Sequence, residues 1–188
     1  PYVVRHAGIG SAHRRYYRFR IPERSGALLH LLETFLDSVN IIEFQHGLTG
    51  KELACPIIGI DAMPSQFAVL EEQLTKLGIE FEDATGDDDV EFRIIRYDAA
   101  LIERPCFIKI EFPERAGALH DFLQDSCKGA SIVYFNYSYT GERVGRAMIG
   151  FDFESNEDRD AFRKRLAGSD TVLRDVREVS HTALDRMV

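Results

Sequence analysis

Leu28, Leu31, Leu32, Phe35 and Leu36 recur at spacings of three and four, which places one apolar stripe along a helix. Ahead of them Tyr16 to Ile21 predicts a strand that stops at Pro22, because proline removes a ladder donor and restricts the residue before it. Behind them Ile42, Phe44 and His46 alternate with Ile41, Glu43 and Gln45, the period of two expected of a second strand. Gly47 to Gly50 supplies a turn, and Ile57 to Ala62 reads as a third strand. Phe67, Leu70, Leu74 and Leu77 share one face of a second helix that Gly78 is suited to cap, and Glu80 to Asp83 reads as a fourth strand.

The same string then recurs. At an offset of 91 residues, Pro22–Asp61 aligns without a gap to Pro113–Asp152, with 14 of the 40 paired positions identical by direct count. The second copy predicts strands over Cys106 to Phe112, around Val133, Phe135 and Tyr137, over Ala147 to Phe153 and over Val172 to Val176. Its helices carry Leu119, Phe122 and Leu123, then Phe162 and Leu166. The order is βαββαβ twice, an α+β class in which each copy folds as a ferredoxin-like, four-stranded antiparallel sheet with both helices on one face. The expected division is a first module over 15–98, a linker over 99–105 and a second module over 106–188. The charge run Gly86 to Val90 reads as a helix start, since it lacks the spaced ligands and central glycine of a calcium loop. Val90, Ile94 and Ile95 predict a short packed helix there.

Composition removes several function classes. Thirty-one acidic against 23 basic residues leave a net charge of −8, the wrong sign for phosphate recognition, so no nucleic-acid partner is expected. Arg14, Arg15, Arg18 and Arg20 read as a solvated strand face. No apolar run reaches the roughly 20 residues that span a bilayer and no secretory signal opens the chain, so a cytoplasmic protein without a membrane partner is expected. Cys55, Cys106 and Cys127 are too few and too scattered for a disulfide framework or zinc site, and read as buried thiols. Pro1 in place of Met predicts a trimmed or processed chain, or a piece of a longer one.

Candidate chemistry collects at the repeated turn Pro-Glu-Arg-x-Gly-Ala-Leu. Glu23, Arg24, Ser25, Gly26, Ala27 and Leu28 form it in the first copy, and Glu114, Arg115, Ala116, Gly117, Ala118 and Leu119 in the second. Gly26 and Gly117 permit close backbone approach, the helix start leaves N–H groups without acceptors, and Arg24 or Arg115 adds a charged donor, a set that suits a carboxylate. The competing reading is a tight turn with a solvated Glu and Arg. His46, and Asn136 with Tyr137, hold matching positions at the ends of the second strands, where they border a ligand or a partner strand, or are half-exposed strand ends. The remaining histidines show no metal spacing. No G-x-S-x-G, phosphate loop or lysine beside a phosphate cradle is present, so an enzyme is not expected of this chain alone.

These motifs resemble a known family. FPERAGALHDFL at Phe112 to Leu123 resembles the F-P-E-R-P-G-A-L-x-x-F-L of the C-terminal regulatory region of biosynthetic threonine dehydratase. SIVYFNY at Ser131 to Tyr137, NIIEFQH at Asn40 to His46 and the pair Arg96-Tyr97 are similar to its other signatures, over Arg15 to about Val179. The resemblance implies two ACT-like subdomains that bind isoleucine as inhibitor and valine as antagonist. It implies control of a pyridoxal-phosphate catalytic domain, in cis or in trans, with no cofactor in this chain. A small amino-acid effector and a homo-oligomer formed through sheets or helices are the partners it implies. The family tyrosine after the second strand falls on Tyr137 in one copy and on His46 in the other; the arginine that follows it is replaced by Ser138 and Gly47. Beside this stands the reading of a structural tandem module that pairs through sheet edges and binds no ligand.

Overall fold

A computed structural model describes residues 14–24, 26–35, 39–91, 93, 95–113, 122–123, 130–138, 144–168 and 175–179. Strand β1 (Arg14–Pro22) buries Tyr17, Phe19 and Ile21 on one face, as its alternation requires. Helix α1 (Ala27–Phe35) presses Leu28, Leu31 and Leu32 onto that face. Strand β2 (Asn40–Gly47) follows, then a two-residue β3 (Leu53–Ala54) and β4 (Ile57–Asp61), both paired to β1. The predicted third strand is realised as β4, and the short β3 ahead of it is separated by Pro56, which has no N–H to donate.

Helix α2 (Pro64–Lys76) opens with proline at its first position and with the Gln66 side chain accepting the Met63 N–H at 2.9 Å. Phe67, Leu70 and Leu74 are buried, whereas Leu77, expected on the same face, is 59% exposed. It sits one residue past the helix, where the chain turns through Gly78 at φ +67. The Ile79 N–H returns to the Leu74 carbonyl and the Gly78 N–H to that of Thr75, a Schellman closure. Strand β5 (Glu80–Asp83) then pairs with β1.

In the second copy β6 (Cys106–Pro113), β7 (Ala130–Ser138), β8 (Val144–Phe153), α4 (Asn156–Gly168) and β9 (Asp175–Glu178) repeat the plan. Of its first helix Phe122 and Leu123 are described, both helical and buried. Among the described residues the strands form one antiparallel sheet that runs β5, β1, β4, β2, β7, β8, β6, β9, with β3 beside β1. Two ferredoxin-like modules are thus joined edge to edge, β2 against β7.

Register at that seam is symmetric. Phe44 faces Tyr137, His46 faces Phe135, and Gln45 lies opposite Asn136, its own counterpart in the repeat. A pseudo-two-fold axis therefore passes between Gln45 and Asn136. Phe44 and Phe135, also counterparts, meet edge to face with centroids 4.6 Å apart, and the apolar core continues beneath them from one module into the other. Another matched pair explains two identical glycines: Tyr16 lies against Gly59, and Phe107 against Gly150, where an added Cβ would come within 2.7 Å and 2.5 Å of the rings.

Both second strands carry a bulge at the same place, between Ile41 and Glu43 and between Ile132 and Tyr134. The extra residue shifts the alternation, so Ile41 and Ile132 pack on the helix-side core. Val133, expected on that side, packs instead with Phe107 and Tyr134 on the outer face. A run of apolar side chains cannot announce such a shift.

The connector is built onto the sheet. Its charge run opens the short helix α3 (Asp88–Glu91), Val90 is buried, and Ile95, Tyr97 and Ile102 cover the outer face of the second module. Arg93, at φ +54, reaches Glu43 Oε1 on β2 at 2.9 Å and both Asn136 Oδ1 and the Tyr137 carbonyl on β7. Three of the predicted solvated arginines are paired as well: Arg14 lies 3.8 Å from Asp61, Arg15 binds Glu71 and stacks on Phe67, and Arg18 binds Glu82 and Asp87. Cys106 is buried as expected, but Cys55 is exposed, because it lies in the break between β3 and β4.

Candidate site at the module seam

The turn between β1 and α1 places Glu23, Arg24, Gly26, Ala27 and Leu28 around a cavity of about 200 Å³. His46 and Leu48 from the end of β2 form its floor, and Ser131 and Ile132 from the start of β7 close it. The wall is therefore shared between modules, and the β7 bulge is what aims Ile132 toward it. Sequence reasoning missed Leu48, Ser131, Ile132 and Asp152, since their placement depends on the β2–β7 pairing and has no local signal.

Gly26 stands at φ +79 with open space around its Cα, so its backbone conformation accounts for the glycine. Its carbonyl accepts the His30 N–H at 2.9 Å, which starts α1, while the Leu28 N–H has no acceptor among the described residues. Arg24 is exposed at the rim. Glu23 Oε1 accepts the Thr49 N–H at 2.8 Å, whereas Glu23 Oε2 is buried with no hydrogen-bond partner among the described residues. A buried carboxylate oxygen left this way is costly unless a donor arrives.

His46 is 7% exposed. Burial pulls its pKa down to about 4, against the opposing pull of Glu23 and of a hydrogen bond with the Ile132 backbone. The cavity thus brings a neutral imidazole, the Glu23 and Asp152 carboxyl groups, Arg24 and the Leu28 N–H against apolar walls of Ile21, Leu28, Ala54 and Ile132. That set is complementary to a zwitterion with an aliphatic side chain. The volume is below the roughly 300–1,000 Å³ of sites for drug-sized ligands and near the roughly 150 Å³ that takes a benzene.

Two of the expected residues stand apart. Tyr137 and Asn136 lie on β7, with Tyr137 buried against Phe44 of β2 and Asn136 bound to Arg93. Ser25 and the second-copy turn, Glu114, Arg115, Ala116, Gly117, Ala118 and Leu119, lie outside the described residues. Gly47, which replaces the family arginine, has the Arg96 carbonyl 2.0 Å from where its Cβ would stand, so the connector occupies that space. Among the described residues no group of three or more His, Cys, Asp or Glu is placed to hold a metal ion, and no helix is long and apolar enough to cross a membrane. Among the described residues, Lys51, Lys76, Lys109 and Lys164 are exposed, and none of them lines the seam cavity.

A family model described as the C-terminal regulatory domain of threonine dehydratase matches residues 5–94 and 99–183. The biosynthetic L-threonine dehydratase IlvA of Haemophilus influenzae is 29% identical over 179 residues, covering 93% of this chain and 34% of that protein. The protein of the same name from Pasteurella multocida is 29% identical over 184 residues, covering 94% and 35%. The chain thus spans about a third of the length of these relatives. Among solved structures, a putative glycine cleavage system transcriptional repressor aligns over 89% of this chain and 99% of its own, at 13% identity and a TM-score of 0.31.

Proposed function

The chain belongs to the family of C-terminal regulatory domains of threonine dehydratase, and from that premise we propose that the seam cavity binds a small aliphatic amino acid, isoleucine or valine in kind, as an effector. The observation that carries this reading is Glu23 Oε2, a buried carboxylate oxygen without a partner among the described residues, on a side chain that lines a cavity with apolar walls. The ligand ammonium supplies its missing donor. The carboxylate meets the Leu28 N–H at the positive end of α1, with Arg24 closing from the rim. The side chain packs on Ile21 and Ile132, which belong to different modules, so occupancy biases how the modules meet. The boundaries 15–98, 99–105 and 106–188 are part of this proposal.

In this role the chain controls a catalytic domain of threonine dehydratase, where pyridoxal phosphate chemistry resides, in the cytoplasm and within a homo-oligomer. The outer strands β5 and β9 are four residues long and carry Glu80, Glu82, Asp83 and Asp175, Arg177, Glu178, which guards them against edge pairing. Helix faces are thus the better candidates for association. Calorimetric titration with each proteinogenic amino acid tests the reading. Saturable heat is expected with isoleucine or valine, weakened roughly tenfold or more in Glu23→Gln. No heat with any of them contradicts it and leaves a module that only assembles.

A further inference from the structure

We propose that a second cavity, of about 190 Å³ on the outer face of the first module, binds a small carboxylate that also carries a neutral hydrogen-bond donor, a 2-hydroxy acid in chemical class. Gln45, Gly47, Lys51, Cys55, Ile57 and Arg96 line it. It lies on the opposite side of β2 from the seam cavity: Gln45 and its cross-strand partner Ile57 face away from the helices, and Ile95 and Arg96 of the connector form its roof.

Three features select the ligand. Gln45 is 97% buried, its Nε2 donating to Glu43 Oε1 at 2.6 Å and to the Val90 carbonyl at 3.0 Å. Both partners are acceptors, so the amide orientation is set and Oε1 is the atom left over, buried and unpartnered among the described residues. Lys51 and Arg96 are exposed cations, and neither has a carboxylate within ion-pair distance among the described residues. Gly47 lets the Arg96 backbone settle directly on β2, which brings that guanidinium to the cavity.

Two cations and one neutral acceptor fit a carboxylate and one hydroxyl. An ammonium group fits poorly, because it brings three donors and a positive charge beside Lys51 and Arg96. The site therefore differs in chemistry, as well as in place, from the one opposite Glu23.

Amide NMR titration of the chain with L-lactate, and with propionate as the same carboxylate lacking the hydroxyl, tests this. Lactate is expected to give saturable shifts at the Gly47 and Arg96 amides, with propionate roughly tenfold weaker. The shifts should vanish in Lys51→Gln/Arg96→Gln, whose side chains are exposed, and persist in Glu23→Gln, which removes the charge of the other cavity. No saturable shift with lactate at tens of millimolar, equal binding of propionate, or shifts unchanged in the double variant would each overturn the proposal. The amino-acid reading of the seam cavity stands or falls separately, on whether isoleucine or valine binds.

Discussion

His46 and Tyr137 are counterparts in the repeat, yet one is a buried titratable ring and the other a buried phenol facing Phe44. Because the His46 pKa falls from 6.5 to about 4 on folding, the unfolded chain binds more protons between those values. Its contribution to stability is therefore present above pH 6.5 and is lost as pH falls toward 4. The linkage amounts to about 2 kcal/mol between pH 7 and pH 5. Urea unfolding at those two pH values should show this loss in the native chain, and His46→Gln should remove that share of it. An unchanged pH dependence in the variant would mean that His46 is not buried as a neutral ring. Nothing in Asn40 to Gly47 signals such burial, since a polar residue at a strand end is ordinarily half exposed. What covers His46 is β7, which starts 83 residues beyond the end of β2. Gly47 is similar: the string shows a lost arginine, and only the connector's path explains it.

Elements were more legible than their contacts. The stripe of Leu28, Leu31 and Leu32, the face of Phe67, Leu70 and Leu74, and the stop at Gly78 are local patterns of spacing and turn chemistry, and each is realised in the fold. The matched bulges were hidden, because Ile41 and Ile42, like Ile132 and Val133, suit either face of a strand. The connector was the least legible element: its apolar residues follow no single period, since they fit the surface beneath. Arg93 clamps that connector to both modules through Glu43, Asn136 and the Tyr137 carbonyl. Arg93→Ala removes charged hydrogen bonds at a half-buried site and should cost about 2–3 kcal/mol in urea unfolding. Lys76→Ala, which breaks an exposed pair with Glu72, should cost about 0.5 kcal/mol or less. Equal effects of the two would show that the clamp contributes no more than a surface ion pair.

At the scale of the whole molecule, the repeat predicted two sheets, and edge pairing of β2 with β7 makes them one. Their symmetric register and the Phe44–Phe135 contact give the chain an internal two-fold, a geometry otherwise built from two copies of a protein. Joining the modules also creates the seam cavity, with the turn between β1 and α1 from one and Ile132 from the other. On the proposed reading a ligand held there touches both modules, which would carry binding in a small cavity to the entire domain. Amide hydrogen exchange with and without saturating isoleucine tests this most directly. Protection is predicted to rise together in residues 22–29 and 46–48 of the first module and in 130–133 of the second; protection confined to one module, or absent from both, would contradict a shared site.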